Sequence, residues 1–532
     1  MKTAQPSIPD AALDGAARAP RDAKVSHLVA MELRRQILSG ELVADRQLAT
    51  EADLTATFGV SRETVREALR ILESQSLVEV RRGRGGGAIV RRPGPASISS
   101  YLALLLQLRR TTLADLEEVR AVLEPPLAEQ FAVRCTAVDL HVLERLHDEE
   151  RAAGDDSLAF VMAAAGFDTA VTERSGNRSM GLFAGVFRDI YARQLYAAAD
   201  PTHQEAARQE QGTQQVIAGH SAFLDAAHRR DGARARKAWA DYLDAVNSLT
   251  ASRGRGRGPI NIVPLWRAQG RSHLPGQPAR RLATAAADEI RARIAEGRLR
   301  DGDRLPALPE LAAELGVSRP TLREALRILE MESLISLRAG DRNGPLVRHP
   351  SPQMAAQLAG TVIQARQTTL EDFFRATAMI DPSAIELAAT RIGPDGLAAL
   401  RSLADELARS AQTPADLSHA WMRARQILFE ATRNPALVVI AEIIRWVHVS
   451  AHATIAAAIT NDPTWLARTG RLAALFRRLA DALEAGDSSR AVAAWVRSLH
   501  ANSPYIESSE LGRLLVVDLV NEKEGAPWMS RT

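Results

Sequence analysis

The segment Gly59–Leu77, GVSRETVREALRILESQSL, recurs as Gly316–Leu334, GVSRPTLREALRILEMESL, with four differences in nineteen positions. The offset, 316 − 59 = 257, also relates Gly40 to Gly297, Pro93 to Pro350, Pro125 to Pro382 and Asn177 to Asn434. Whole half-chains are therefore repeated. A repeat this long means duplicated domains and not a solenoid, because each unit can bury its own core.

With 532 residues, the duplication makes four domains the natural count. An apolar fraction of 46% with 25% charged residues is that of a globular protein in water. The strongest apolar run, Tyr101–Leu108, stops at Arg109 and Arg110, too short to span a bilayer. No basic start followed by an apolar stretch marks an export signal, so the expectation is a cytoplasmic protein without membrane partners. The single cysteine, Cys135, excludes an internal disulfide framework and is expected to be a buried, inert thiol. Net charge is only +3, yet Arg81, Arg82, Arg84, Arg91 and Arg92 crowd one place, and local clustering governs polyanion binding. An aromatic content of 4% argues against a single-strand binder that stacks bases.

Residues 1–24 lack periodicity and read as a flexible tail. Leu28, Leu33 and Ile37 fall at near-helical spacing within Val25–Ser39, and Gly40 suits a left-handed helix end. Thr50 can cap a second helix, Glu51 to about Phe58. Gly59 then turns the chain so that Ser61 caps a third. In that third helix Val65, Leu69 and Leu72 share one face and leave Arg62, Thr64, Arg66 and Arg70 on the others. This is a helix-turn-helix. Leu77–Arg81 and Ala88–Arg92 read as two short strands around the glycine-rich tip Arg82–Gly87, which makes a wing. Such a helix suits the major groove, where arginine can bond guanine twice, and a glycine-rich tip lets backbone approach phosphates. The candidate DNA-contacting residues are Ser61, Arg62, Thr64, Arg66, Arg70, Arg84 and Gly85, with Ser318, Arg319, Thr321, Arg323, Arg327 and Arg342 in the second copy.

The string SRETVREALRILESQSLVEVRRGRGGG and its second-copy counterpart, followed by LADLEEVRAVLE (Leu113–Glu124) and ERSGN (Glu173–Asn177), resemble GntR-type transcription regulators. The resemblance is to the FadR-like subfamily with an all-helical FCD effector domain, and it covers nearly the whole chain, twice. The fold it implies is mainly α: two winged helix-turn-helix domains, each followed by an all-helical antiparallel bundle. Such regulators usually carry a DNA-contacting arginine in the second helix. Here Leu48-Ala-Thr-Glu-Ala52 and Leu305-Pro-Ala-Leu-Pro309 lack it, so operator sequence or affinity is expected to differ. Glu63 also corresponds to Pro320, tolerable in a first helical turn, and Arg84 to Asp341.

The expected domains are winged helices at 25–93 and 281–350, helical bundles at 97–250 and 354–507, a linker at 251–280 and a tail at 508–532. Long Ala/Leu/Arg segments with helical spacing support the bundles. The resemblance implies a divalent metal held by one Asp and three His, and an arginine for a small carboxylate. In the first copy those positions fall on Ala164, Asp168, His220 and Tyr242, with Arg120 as the arginine. Arg120, Asp168, His220 and Tyr242 are thus the candidate effector residues, and Asp168 and His220 the candidate metal ligands. No cofactor is certain. One oxygen pair around one His is an incomplete zinc set, and a metal-free Asp168–His220 hydrogen bond is the alternative. In the second copy the same positions fall on Trp421, Arg425, Phe476 and Ser498, with Thr377 for the arginine, which excludes that metal site. Trp421 and Phe476 are expected to fill the cavity or line an apolar pocket. His448 and His452 lie one helical turn apart, a spacing that can chelate but more commonly marks a surface or core pair.

The function implied by resemblance is a ligand-responsive, sequence-specific transcription regulator of double-stranded DNA, most often a repressor, with a small-molecule effector, a carboxylate by the same resemblance. Both winged helices lie in one polypeptide, so the chain reads as a covalent pseudo-dimer on a pseudo-palindromic operator, or as half of a homodimer. An architectural DNA binder that has lost sensing is the alternative. No nucleophile–base constellation or phosphate loop suggests an enzyme.

Overall fold

The computed structural model describes residues 21–74, 77–81, 87–91, 95–153, 156–197, 205–252, 258–264, 266–267, 279–336, 344–351, 354–355, 358–359, 362–363, 368–410, 414–460, 465–502 and 510–514. They form two compact units. One takes in both winged helices (up to Tyr101, and Trp266–Thr368), the other both bundles (Leu102–Leu265 and Thr369–Leu514).

The first winged helix comprises α1 (Arg21–Ser39), α2 (Glu51–Phe58), α3 (Arg62–Ser74) and strands β1 (Val78–Arg81) and β2 (Gly87–Val90). Val29, Leu33 and Ile37, four residues apart, are buried, so α1 turns Val29 and not Leu28 fully inward. Thr50 and Asp53 form a capping box at the start of α2, and Gly59 ends it in the left-handed conformation at φ 64°. The core joins Leu54 and Phe58 to Val65, Ala68, Leu69 and Leu72 of α3. β1 and β2 pair antiparallel, Val78 opposite Val90 and Arg81 opposite Gly87.

The second winged helix repeats this with α4 (Pro95–Leu108) and the first bundle intervening: α11 (Ala279–Ala295), α12 (Leu308–Glu314), α13 (Arg319–Met331), β3 (Ile335–Ser336) and β4 (Leu346–Val347). Isolated bridges from Gln47 to Ile89 and from Arg304 to Leu346 place a third extended segment on each wing at equivalent positions. At Gly344, φ is +83° and a Cβ would meet the Leu305 carbonyl oxygen at 2.2 Å, so the wing can close on that segment only with glycine. Pro320 sits in the first turn of α13. Within this unit α3 and α13, counterparts in the repeat, come into contact. The Tyr101 hydroxyl of the first copy accepts from Ser351 N of the second at 3.0 Å.

The first bundle runs through α5 (Leu113–Arg134), α6 (Ala137–Ala152), α7 (Ser157–Glu173), α8 (Arg178–Ala197), α9 (Glu205–His228) and α10 (Gly232–Ser252). Its centre is α5, which packs on α7, α8, α9 and α10. Phe131, Phe167, Phe223 and Trp239 fill the core beside the buried thiol of Cys135. The second bundle repeats the order: α14 (Leu370–Ala389), α15 (Pro394–Ser410), α16 (Pro414–Ala431), α17 (Pro435–Thr460), α18 (Trp465–Glu484) and α19 (Ser488–Asn502), followed by α20 (Glu510–Arg513). Of the expected linker, residues 258–264 are docked: Ile260, Ile262 and Val263 are buried, and Ile260 N donates to Thr111 O at 2.8 Å. Residues 253–257 and 268–278 lie outside the described residues.

The two bundles meet with pseudo-two-fold reciprocity. Counterparts α5 and α14 pack on each other, α8 packs on α14, and α17, the counterpart of α8, packs on α5. Asn177 Nδ2 donates to Asp372 O at 3.3 Å, and its repeat equivalent Asn434 donates to Asp115 O, the equivalent acceptor, at 2.9 Å. One detail breaks the symmetry. The Asp115 carboxylate closes a capping box on its own helix by accepting from Thr112 N, whereas that of Asp372 accepts from Arg178 N, Ser179 N and the Ser179 hydroxyl at 2.9–3.1 Å. Asp372 thus caps α8 of the opposite bundle, where helix N-termini favour a negative charge. Replacing a cap costs about 0.5–2 kcal/mol, and Asp372 makes three such bonds across the interface. Urea unfolding of Asp372→Ala is therefore expected to show a larger loss of stability than Asp115→Ala. An equal or smaller loss would mean that the cross-bundle bonds contribute nothing.

Candidate nucleic-acid interface and effector core

Each recognition helix is set by a hydroxyl pair. Ser61 Oγ accepts from Thr64 N at 3.1 Å and shares a 2.8 Å hydrogen bond with Thr64 Oγ1; Ser318 and Thr321 repeat this at 3.2 and 2.7 Å. Thr64 and Thr321 are buried, so their hydroxyls fix the start of the helix and face away from solvent. Arg62, Arg66 and Arg70 are exposed on α3, as are Arg319, Arg323 and Arg327 on α13. Glu51 accepts from Arg66 at 2.9 Å, Glu67 from Arg70 at 2.8 Å and Glu324 from Arg327 at 3.5 Å. Arg84, Gly85 and Arg342, the wing-tip candidates, lie outside the described residues.

Arg120, Asp168, His220 and Tyr242 come together in the core of the first bundle, from α5, α7, α9 and α10. His220 Nε2 lies 3.1 Å from Asp168 Oδ1, and Tyr242 donates to the same carboxylate at 3.2 Å. Arg120 Nε donates to Glu124 at 2.8 Å, and its Nη2 reaches Asp168 at 3.4 Å, with the guanidinium 4.8 Å above the Tyr191 ring. Residues that the sequence reading missed complete the cluster. Glu150 meets His220 Nδ1 at 2.7 Å and His147 Nδ1 at 3.0 Å, Arg188 donates to the Asp168 backbone carbonyl, and Trp239 Nε1 donates to Glu124 at 3.1 Å.

With carboxylates on both ring nitrogens, His220 is held as an imidazolium. Burial alone would lower its pKa, but the hydrogen bonds to Asp168 and Glu150 carry it up to about 9. Asp168 is lowered despite its burial, chiefly by His220, while burial and the Asp168 charge hold Tyr242 well above the phenol range. Burial opposes the Arg120 charge, and Glu124 more than restores it.

The metal set implied by resemblance does not fit these residues. Ala164 offers no ligand, Tyr242 stays a neutral phenol, and Asp168 is already taken by His220, Arg120 and Tyr242. The donor atoms of His147, Glu150 and His220 do lie within 4.8 Å of one another, but they are hydrogen-bonded together.

In the second bundle the charge pair has moved. Asp381, at the position of Glu124, accepts from Arg425, at the position of Asp168, at 2.5 Å and from Trp495 Nε1 at 2.9 Å. Burial raises the Asp381 pKa and lowers that of Arg425, outweighing in each the attraction of its partner. Thr377 replaces Arg120 and turns its hydroxyl to Phe374 O. Trp421, 5.3 Å from Trp495 and stacked on it, and Phe476 fill the core, and Ser498 bonds back to Trp495 O. His448 Nε2 lies 3.2 Å from Ser418 Oγ, and the side chain of His452 is outside the described residues. One signal in the sequence marked these cores: the acid–tryptophan pair Glu124–Trp239 recurs as Asp381–Trp495, 257 and 256 residues on.

Two winged helices with exposed arginines and two helical bundles with buried polar cores define a DNA-binding regulator with duplicated regulatory domains. The chain belongs to the gntR family of bacterial regulatory proteins, whose model matches residues 26–87 and 282–342, and the FCD domain matches 115–245 and 372–501. It is similar to the HTH-type transcriptional repressor NanR of Citrobacter rodentium (strain ICC168), 27% identical over 237 residues, covering 44% of this chain and 87% of that one. NanR of Escherichia coli (strain K12) is 28% identical over 230 residues, 42% of this chain and 84% of the relative. Among solved structures, a GntR of Streptococcus agalactiae overlaps 42% of this chain and 99% of its own at 21% identity and TM-score 0.32; E. coli McbR/YncC overlaps 42% and 95% at 18% and 0.23. Among the described residues, no helix is long and apolar enough to cross a membrane.

The His220 bridge makes stability pH-dependent. Its folded-state pKa, about 9, lies above the unfolded value near 6.5, so its contribution is complete below about 6.5 and is lost as pH rises through 9. The shift corresponds to on the order of 3 kcal/mol. Denaturant unfolding from pH 6 to 10 is expected to show that decline in the native chain and a flatter profile in His220→Asn. Parallel profiles would show that His220 carries no linked proton.

Proposed function

We propose that the chain is a ligand-responsive, sequence-specific transcription repressor that works as a covalent pseudo-dimer on a pseudo-palindromic operator. The observation that carries this is the reciprocity of the two copies: Asn177 on Asp372 and Asn434 on Asp115, the same contact made twice across a pseudo-axis. It is the pattern of a two-fold dimer enclosed in one polypeptide, and tethering replaces association between chains with an intramolecular encounter. Both recognition helices present arginines, so each copy offers one reading head.

Selection from random duplexes is expected to enrich a bipartite sequence. Arg62→Ala with Arg319→Ala should lower affinity for it at least tenfold, since a bidentate arginine–guanine contact discriminates by about 1–3 kcal/mol. No enrichment, or indifference to the double substitution, would sink the reading.

The first bundle is the sensing half in this proposal, and a small carboxylate its effector. The 3.4 Å contact of Arg120 with Asp168 is the weaker of its ion pairs, and a ligand carboxylate would take the place of Asp168 on the guanidinium fork while Glu124 stays bonded. Effector binding would then shift DNA affinity through coupled equilibria. A second reading, an architectural DNA binder that no longer senses, is favoured by one observation: Arg120 already has carboxylate partners inside the core. A thermal-shift screen of small carboxylates separates the two. A ligand at a hundred times its Kd stabilises by about 2.7 kcal/mol, so a sensing bundle is expected to shift Tm by several degrees, and Arg120→Lys to remove the shift. No response to any carboxylate leaves the architectural reading.

A further inference from the structure

The repeat kept the three arginines of each recognition helix but changed their surroundings. On α3 the exposed arginines Arg62, Arg66 and Arg70 stand among Glu63, Glu67 and, from the neighbouring α2, Glu51. On α13 Arg319, Arg323 and Arg327 stand with Glu324, because Pro320 replaces Glu63 and Leu308 replaces Glu51. The formal charge of the face is therefore 3 − 3 = 0 in the first copy and 3 − 1 = +2 in the second. The arginines differ in freedom as well. Arg66 is held by Glu51 at 2.9 Å, whereas its counterpart Arg323 is exposed and makes no ion pair among the described residues. The intrahelical pair nearer the far end is also looser in the second copy, 3.5 Å for Arg327–Glu324 against 2.8 Å for Arg70–Glu67.

We infer that the two recognition helices read different half-sites, with Glu63 and the Glu51–Arg66 pair as the specificity determinants of the first. This inference rests on the DNA-binding reading above. A carboxylate in the first turn of a recognition helix is an acceptor, and in the major groove it matches the cytosine N4 amino group; near phosphates it repels. Pro320 offers no hydrogen bond and only an apolar ring, which suits a thymine methyl. The Glu51 carboxylate holds Arg66 back, while Arg323 is free to fork onto guanine or neutralise a phosphate. The α3 half-site therefore contains a cytosine facing Glu63, and the α13 half-site a guanine facing Arg323. The operator is an asymmetric pair of half-sites, and the chain binds it in one orientation.

Random-duplex selection on the full chain tests this. Two non-identical halves are expected, and Glu51→Leu with Glu63→Pro, which gives the first copy the residues of the second at those two positions, is expected to select two matching halves. That variant should also bind a duplex carrying the α13 half-site twice roughly tenfold more tightly than the native chain does. Glu63→Gln, which keeps the shape and a polar end, should weaken the cytosine preference without disturbing the fold, and Pro320→Glu should install it in the second half-site. A symmetric operator selected by the native chain, or an asymmetric one unmoved by the substitutions, overturns the inference while leaving the DNA-binding reading intact. Enrichment of no sequence overturns both.

Discussion

The structure depends on the packing of two counterpart helices, α5 on α14, around a pseudo-axis. Each contributes many buried residues to its bundle's core, and each also receives the α8-type helix of the opposite copy. The asparagines at the start of α8 and α17 secure the register by bonding the same backbone carbonyl in the opposite copy. Asp372 adds a charge at an opposing helix terminus, where backbone N–H groups would otherwise lack acceptors. An interface of this kind leaves the halves free to diverge wherever they do not touch.

They diverged most in the polar cores. In the first bundle an arginine of α5, Arg120, faces Glu124 and Asp168; in the second the arginine is Arg425, on α16, and it faces Asp381. The tryptophan that donates to the acid stayed in both. A buried charge without a partner is costly, so loss of Arg120's counterpart had to be matched by an arginine elsewhere in the same core. His220 follows the same rule in the first bundle, balanced by carboxylates on both sides of its ring. Replacement by Phe476 in the second removes both the charge and the need for Glu150-like partners.

Much of the winged helix was legible because its signals are local. Caps at Thr50 and Ser61, the turn at Gly59 and the alternation of buried residues along α3 each depend on neighbours within a turn or two. The roles of Thr64 and Thr321 were not legible, because a threonine in a first turn suits either a phosphate contact or a cap partner, and packing turned both inward. In the effector core Asp168, His220 and Tyr242 were found together, but Glu150 and His147 were missed: they lie on α6, and their nearness to His220 arises from helix packing.

By itself the sequence determined that the protein is a duplication, that each half carries a helix-turn-helix, a wing and a helical bundle, and that the second copy has Trp421, Arg425, Phe476 and Ser498 where the family resemblance implies metal ligands. Those conclusions follow from periodicity, spacing and residue chemistry, all carried along the chain. Tertiary structure alone decided which charges face each other, that Asp372 caps the opposite bundle while Asp115 caps its own helix, and that Arg66 is restrained where Arg323 is not. The physical reason is distance. Hydrogen bonds and ion pairs act over a few ångströms, and residues separated by fifteen to some three hundred positions come within that range only once the helices have packed.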